Sequence, residues 1–339
     1  MSVTKVAELA GVSRMTVSRV INDDPRVKPE TARGVRLAIA ELGYVPPSAS
    51  DDGRRSRSGS VAGRHTGRIA VLIPDTSADA MRTTLTGRLL HGIDGPVGRN
   101  KLQLLLTRLP RERALPASID RRQVDGVIVR ASDSAWVRRA LRKMPVVWVF
   151  DSDTLDDACD CVDADDEAIG RLAAEHLIAA GHRRLASINE IAGHASYARR
   201  LRAFAGRARE AGIEARAAEV PGRDQAAIDR RVAGLLRQKP RGGGTDGLFL
   251  PGVGPMVACV QRAVRAAGRE PGVEAGLIGC GHDRHVIEAM HPQPANIDIQ
   301  AEAIGAAAAE LLLWRLANPG APARRRVIAP RLVPGATPA

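Results

Sequence analysis

The first twenty-two residues contain side chains suited to contacting the edges of nucleic-acid bases. Between Val6 and Asn22, the apolar residues Val17, Val20 and Ile21 recur at the spacing of one buried helix face. The same spacing leaves five side chains pointing outward: Arg14, Met15, Ser18, Arg19 and Asn22. A guanidinium group can pair with both acceptors of guanine, whereas methionine offers only apolar contact, for example with a thymine methyl group. This face is therefore a candidate surface for reading a DNA major groove.

Two short helices joined at a glycine would position this face. Val6 and Leu9 form an apolar stripe on the first helix, and the small side chain of Ala10 permits close helix packing. Gly11 allows a backbone turn in which a larger residue would be strained. Ser13 is a preferred residue type for the N-cap of the second helix. This order of residues predicts a helix-turn-helix.

A third helix completes the predicted domain. Pro29 fits the first turn of a helix, and Val35, Ile39 and Leu42 follow at helical spacing. Their side chains would close a small core over the first two helices. We expect residues 1–47 to form this all-α headpiece, and a domain of this size is typically steadied by its neighbours or by DNA.

The order of these residues resembles the opening of the LacI/GalR family of bacterial transcription regulators. The family pattern V-A-x-x-A-G-V-S-x-x-T-V-S-R-V-x-N is met by the run from Val6 to Asn22, and Val27, Pro29–Thr31 and Leu42–Tyr44 continue it. The resemblance implies a sequence-specific regulator, most often a repressor. Such a protein binds a palindromic operator as a homodimer and responds to a small-molecule effector.

We expect the second helix, from Arg14 to Asn22, to lie in the major groove. Arg14, Met15 and Arg19 would then face base edges. The neighbouring polar side chains are better suited to positioning phosphates: Ser13, Thr16, Ser18, Asn22 and Tyr44.

Composition favours a globular protein with an anionic partner. The 339-residue chain has a formal net charge of +12, which favours a partner such as DNA. Hydrophobic residues make up 44% of the chain, and no apolar run approaches the roughly 18 residues needed to span a membrane. The N-terminus also lacks the apolar core of a signal peptide, so we expect a cytoplasmic protein. The four cysteines predict no disulfide framework.

Residues 48–67 have the composition of a linker, rich in Pro, Ser, Gly and charge. Family members usually place here a hinge helix that folds on DNA and inserts a leucine into the minor groove. This stretch contains no leucine. Its Asp51, Asp52 and Gly53, together with Pro47 just before it, disfavour both a helix and phosphate contact. Our hypothesis is that central kinking of the operator is weak or absent, and that affinity depends on the headpiece and the arginine run. A flexible, solvated tether is the alternative.

From Arg68 onward, short apolar runs alternate with helical patterns. Seven runs are typical of parallel strands covered on both faces: Ile69–Ile73, Leu102–Leu106, Val124–Val129, Val146–Phe150, Leu185–Ile188, Gly247–Leu250 and Ala275–Gly279. Asp166–Ala180 and Glu302–Leu316 are among the helical patterns. This alternation predicts an α/β core of two doubly wound parallel-sheet subdomains, with a ligand cleft beyond the carboxyl ends of the strands.

The family resemblance implies the same architecture, which is similar to that of a periplasmic sugar-binding protein. It places chain crossovers between the subdomains near residues 163, 295 and 325. The core then spans residues 68–339. Its expected subdomains are residues 68–163 with 295–324, and residues 164–294 with 325–339.

The resemblance also places Arg200 at the family arginine that binds effector hydroxyls or carboxylates, a task for which its forked donors are suited. Three carboxylates near strand ends are further candidates for effector binding, with solvated loop side chains as the alternative: Asp151, Asp153 and Glu190. Two family features are missing, because Val253–Gly254 replaces an Asn-Asp pair and Gly281 replaces an aspartate. A regulator with a degenerate pocket, acting without an effector, is therefore the alternative function.

A cluster of metal-ligand residue types lies in the loop where pocket residues are expected. It comprises Cys280, His282, Asp283, His285 and His291. These side chains suit zinc, but their spacing fits no established metal motif, so an ordinary polar loop is the other interpretation. The chain contains no G-x-S-x-G elbow, P-loop or H-E-x-x-H motif. We predict neither enzymatic activity nor a cofactor.

The C-terminal residues bear on the expected oligomeric state. After Arg331 only Leu332–Ala339 follow, a stretch too short and too rich in Pro and Gly for the tetramer-forming coiled coil of some relatives. We therefore expect a homodimer whose interface is supplied by the core.

Overall fold

The computed structural model describes most of the headpiece and core. The described ranges are residues 3–21, 24, 26–42, 66–74, 84–109, 114–130, 135–150, 159–220, 222, 224–237, 244–253, 256–281 and 283–335. The chain divides into two units, one within residues 1–63 and one within residues 64–339. No helix in the described ranges is long and apolar enough to cross a membrane.

The described part of the first unit contains three helices, α1 (Val3–Leu9), α2 (Arg14–Ile21) and α3 (Pro29–Glu41). Its core is formed by six buried side chains: Val6, Ala7, Val17, Val20, Val35 and Ala38. The prediction that Leu9 belongs to the buried stripe is wrong, since this side chain is 48% exposed. Ala7 faces the core, and a residue two positions later lies about 200° further around the helix.

The first sheet of the core holds six strands within the described ranges. They are β1 (Arg68–Pro74), β2 (Gln103–Leu109), β3 (Gly126–Arg130), β4 (Val146–Val149), β5 (Asp160–Ala164) and β11 (Arg325–Ile328). Their order is β11-β5-β4-β3-β1-β2, and every pair is parallel.

The second sheet also has six described strands. They are β6 (Leu185–Asn189), β7 (Arg216–Glu219), β8 (Gly247–Val253), β9 (Gly276–Cys280), β10 (Ala295–Asp298) and β12 (Arg331–Val333). Their order is β12-β10-β9-β8-β6-β7, and the pairs are parallel except that the edge strand β12 runs antiparallel to β10. The prediction of two doubly wound parallel-sheet subdomains is confirmed.

Helices cover the sheets. The described ones are α4 (Thr84–Arg99), α5 (Ala117–Asp120), α6 (Ala135–Leu141), α7 (Asp166–Ala179), α8 (Ala195–Glu210), α9 (Gln225–Arg237), α10 (Met256–Ala266), α11 (Arg284–Glu288) and α12 (Ala301–Ala317). The closest helix pairs are α7 with α8 and α4 with α12. The helices predicted at Asp166–Ala180 and Glu302–Leu316 correspond to α7 and α12.

Strand β1 illustrates why these strands are continuous apolar runs. Ile69, Val71 and Ile73 are buried in one hydrophobic core, whereas Ala70 and Leu72 are buried in another. Successive side chains of a strand point to opposite faces of the sheet. A strand covered on both faces therefore needs an apolar side chain at every position.

The chain was expected to pass between the subdomains at three points. Two of these points lie after a strand, whereas the prediction placed them before it. Strand β10, expected in the first subdomain, pairs with β9 in the second sheet, and β11, expected in the second subdomain, pairs with β5 in the first sheet. The predicted boundaries at residues 295 and 325 are therefore wrong. The physical reason is that parallel strands all end at the same edge of their sheet, so the chain completes each strand before it passes to the other subdomain.

Most of the expected linker, including the proposed hinge, lies outside the described residues. Thr66 and Gly67 are its described part. Their backbone N–H groups donate to the two carboxylate oxygens of Asp125, at 2.5 and 2.9 Å. These bonds fix the chain where β1 begins.

Candidate nucleic-acid interface and ligand cleft

The turn between α1 and α2 has the geometry of a helix-turn-helix. Gly11 has a φ of 61°, the left-handed conformation that glycine adopts without strain. The Thr16 N–H donates to Ser13 Oγ at 3.1 Å, so Ser13 caps α2 as its residue type predicts. The hydroxyl oxygens of Ser13 and Thr16 lie 2.9 Å apart and also share a hydrogen bond.

The outer face of α2 is open to solvent. Val17 and Val20 are buried beneath the helix, whereas Arg14, Ser18 and Arg19 are exposed and Met15 is 64% exposed. This is the division of side chains that helical spacing predicts. The face combines cationic, hydroxyl and apolar groups, which are the groups that read base edges and contact phosphates. Two further predicted contact residues, Asn22 and Tyr44, lie outside the described residues.

The carboxyl ends of strands from both sheets meet at Tyr197 on α8. From the second sheet, Gly252 of β8 is so close that a Cβ built on it would lie 3.3 Å from the Tyr197 hydroxyl. From the first sheet, Arg130 at the end of β3 interacts electrostatically with the Tyr197 phenol. His194 stacks on the Tyr197 ring with 4.2 Å between centroids. These residues mark the cleft predicted between the two subdomains.

Arg200 lies fully buried one helical turn from Tyr197. Its Nε donates to Asp166 Oδ1 at 2.7 Å, and its Nη1 donates to the Pro251 carbonyl at 2.7 Å and to Cys280 Sγ at 3.3 Å. Burial lowers the pKa of this guanidinium, but Cys280, Asp166 and Tyr197 together raise it above its usual value. Arg200 therefore remains cationic and is held by α7, β8 and β9 at once.

Glu190 also reaches this region. It directly follows β6, its side chain is buried, and a Cβ at Gly252 would lie 2.8 Å from Glu190 Oε1. Glu190 therefore lies beside Tyr197, as its position after a strand suggests. The other two predicted carboxylates, Asp151 and Asp153, lie outside the described residues.

Two residues of the cleft were missed by the sequence reasoning. Asp166, the partner of Arg200, was recognised only as the start of a helix. Arg130 directly follows the predicted strand Val124–Val129 and was not considered, although its Nε is buried without a hydrogen-bond partner in the part of the chain that is described. A charged residue closing an otherwise apolar strand, at the edge where the cleft is expected, was the available sequence feature.

Polar contacts bridge the two subdomains beside the cleft. Arg88 on α4 forms a two-pronged ion pair with Asp298 at the end of β10, with N–O distances of 3.0 and 3.1 Å. The Thr84 hydroxyl, also on α4, donates to Asp283 Oδ2 at 2.5 Å. Both contacts depend on the angle between the subdomains, so a change in that angle would disrupt them.

The cysteine–histidine loop is not assembled as a metal centre within the described ranges, where no three His, Cys, Asp or Glu side chains are placed to hold an ion. Cys280 is buried against Arg200, and Asp283 caps α11 by accepting from the Val286 N–H at 3.4 Å. His285 and His291 are exposed. His282 lies outside the described residues.

Two family models match the chain. Residues 2–47 match the model described as bacterial regulatory proteins, lacI family, and residues 174–337 match the periplasmic binding protein-like domain. The first span corresponds to the headpiece, and the second covers the C-terminal part of the core, from within α7 through β12.

Curated relatives are similar over most of the chain or over its N-terminal part. The HTH-type transcriptional regulator CelR of Thermobifida fusca is 28% identical over 320 residues, which cover 92% of this chain and 90% of CelR. The sucrose operon repressor of Vibrio alginolyticus is 47% identical over 68 residues, which cover 20% of this chain and 72% of that sequence.

Among solved structures, a CelR–cellobiose complex is 24% identical, covers 100% of both chains and has a TM-score of 0.70. A lac repressor dimer bound to operator and the anti-inducer ONPF is 20% identical, covers 99% of this chain and 98% of that chain, and has a TM-score of 0.72. These structures share the fold described above. The matches in sequence show that the chain carries a DNA-binding domain of the lacI family of bacterial regulatory proteins, followed in its core by a periplasmic binding protein-like domain.

Proposed function

We propose that this protein is a repressor that binds a roughly palindromic operator as a homodimer and responds to a small molecule in the core cleft. The observation that carries the DNA-binding part is the exposed face of α2, which the buried side chains of Val17 and Val20 and the Ser13 cap hold in one orientation. The named relatives support a regulator and not an enzyme. Light scattering should report a dimer, and a tetramer would contradict that part of the proposal.

In this proposal α2 enters the major groove. Arg14 and Arg19 pair with guanine, and Met15 contacts an apolar base edge. Residues at the start and along the side of the helix position phosphates: Ser13, Thr16, Ser18, Asn22 and Tyr44. The shared hydrogen bond of the Ser13 and Thr16 hydroxyls uses one of their two hydrogens, so the other remains available to a phosphate oxygen.

The control part of the proposal rests on the cleft. Arg200, Glu190, Asp151 and Asp153 are its proposed effector-binding residues. The relative CelR, solved with cellobiose, supports a small-molecule effector for this fold. Effector binding would change the angle between the subdomains, and in a dimer this change alters the spacing of the two headpieces and hence operator affinity.

Selection of bound genomic DNA fragments tests the DNA-binding part. Wild-type protein should recover a palindromic motif, and Arg19→Ala should lose it, since Arg19 lies on the exposed face of α2. Arg33→Ala is the matched control, because Arg33 is also exposed but lies on α3. Recovery of only non-specific, salt-sensitive fragments by the wild type would contradict the proposal.

One observation favours a second candidate, a regulator that acts without an effector. Arg200 is already bound by Asp166, Pro251 and Cys280, so three internal groups take up donors that a ligand would otherwise use. The two candidates differ in ligand response. Tight operator binding that no small molecule alters would favour the second one.

A further inference from the structure

We propose that the cleft binds an organic acid whose carboxylate or phosphate group pairs with Arg130. This inference rests on the proposed function, because it takes the cleft to be the effector site. It adds the chemical class of the effector and a residue that recognises it.

The position of Arg130 is fixed by the sheet. Arg130 is the last residue of β3, its backbone pairs with Val149 of β4, and Val127, Ile128 and Val129 before it are fully buried. Its side chain therefore starts from a rigid strand end, at the edge of the sheet that faces the cleft. The Tyr197 phenol, which belongs to the second subdomain, is near enough to raise the pKa of this guanidinium.

No counter-ion of the Arg130 guanidinium lies within the described residues. Its Nε is buried without a hydrogen-bond partner, and within the described residues no carboxylate forms an ion pair with it. Burial lowers the pKa of this group, and the Tyr197 phenol offsets that effect only in part. A buried charge is normally paired, so the site lacks a partner that a ligand can supply.

Other buried or partly buried arginines of the core show what such a partner looks like. Arg88 is paired with Asp298, Arg200 with Asp166 and Arg315 with Asp160, each by at least one N–O contact of 3.0 Å or less. Arg130 differs from these three in having no acidic residue opposite it in the described ranges. An anion from outside the chain would complete the same arrangement.

The surroundings of Arg130 further define the ligand. A guanidinium binds a planar carboxylate or a phosphate through two parallel hydrogen bonds. The Tyr197 hydroxyl can donate or accept, and the adjacent Glu190 carboxylate accepts from ligand hydroxyl groups. The geometry thus favours a polyhydroxylated acid over a neutral sugar.

The first test needs no ligand. Arg130→Gln removes the uncompensated charge, so the melting temperature of the ligand-free protein should stay the same or rise, as at other sites where function costs stability. Arg139→Gln is the matched control, since Arg139 is exposed on α6 of the same subdomain and its loss should change nothing. A clear fall in melting temperature for Arg130→Gln alone would assign Arg130 a structural role and overturn the inference.

The second test uses matched probes in thermal-shift titrations: glucose, gluconate and glucose 6-phosphate, and cellobiose with cellobionate. Each acid should bind more tightly than the neutral sugar with which it is matched. Arg130→Gln should weaken the affinity for the acid by roughly 10- to 100-fold. Comparing the affinity for gluconate with that for glucose 6-phosphate distinguishes a carboxylate ligand from a phosphate ligand. A neutral sugar bound equally by wild type and Arg130→Gln would overturn the inference and leave the effector function standing. A response to none of the five probes would overturn the inference, whereas the effector function is tested separately by whether any small molecule alters operator binding.

Discussion

Replacing Asp166 with asparagine tests how the cleft arginine is held. The Asp166 carboxylate accepts from Arg200 Nε at 2.7 Å through one oxygen and from Arg199 Nη2 at 2.6 Å through the other. The side chains of Asp166 and Arg200 are each only 4% exposed. Asparagine keeps the shape of the side chain and removes the charge that balances Arg200.

The expected effect is large because the pair is buried. Removing one partner of a buried ion pair costs about 3–5 kcal/mol of the free energy of unfolding. Each kcal/mol lowers the melting temperature of a domain of this size by about 2–4 °C, so Asp166→Asn should lower it by roughly 6–20 °C. Denaturant unfolding followed by circular dichroism measures the free energy, and a thermal melt measures the temperature.

Glu210→Gln provides the matched control. Glu210 pairs with Arg171 through two contacts of 3.2 Å and joins the same helices, α7 and α8, but both side chains are about half exposed. Such a surface pair contributes under about 1 kcal/mol. Equal losses of stability for Asp166→Asn and Glu210→Gln would refute the reasoning that burial makes the Asp166–Arg200 pair important.

Two further predictions concern the stability of the core. Burial lowers the pKa of His176 and of His182 below the ordinary 6.5, so the unfolded chain takes up protons more readily as the pH falls below that value. The core should therefore melt at a lower temperature at pH 5.5 than at pH 7.5, and the double variant His176→Gln/His182→Gln should reduce the difference; a melting temperature independent of pH would contradict this. Gly206→Ala on α8 should stabilise the core by about 0.5–1 kcal/mol, because its Cβ meets no atom within 4 Å. Gly252→Ala should destabilise it, because the added Cβ would lie 2.8 Å from Glu190 Oε1. Thermal melts in which Gly252→Ala is the more stable of the two would show that the packing at Glu190 is looser than described.

The headpiece could be predicted almost residue by residue because its determinants are local. A turn glycine, a capping serine and valines at helical spacing act within a few positions of one another, and the recognition helix expected from Arg14 to Asn22 is described from Arg14 to Ile21. Leu9 is the exception. Either it or Ala7 could have joined Val6 in the core, and the packing of all three helices decides between them.

In the core, long apolar runs predicted the central strands, whereas short polar strands gave no comparable pattern. Strand β5 contains Asp160 and Asp163 and is nevertheless buried. Burial of Asp160 is possible because Arg315, 155 residues later, donates to both of its oxygens at 2.5 and 2.9 Å. Such a partner is not visible in a local sequence pattern.

The contacts of the cleft residues could also not be predicted from a local sequence pattern. The resemblance singled out Arg200, but its partner Asp166 lies 34 residues away on another helix and gave no local signal. Arg130 was missed because an arginine at a strand end is usually solvated. The burial of its Nε is a property of the assembled core and is not visible in a local sequence pattern.

The most direct test of the central claim is the affinity of purified protein for its selected operator, compared with a scrambled duplex at fixed salt concentration. The exposed position of Arg19 on α2 predicts that Arg19→Ala costs about 1–3 kcal/mol on the operator, while binding to scrambled DNA changes little. Arg33→Ala should leave operator affinity close to that of the wild type. Equal affinities of the wild type and Arg19→Ala for the operator would contradict the assignment of α2 as the recognition helix.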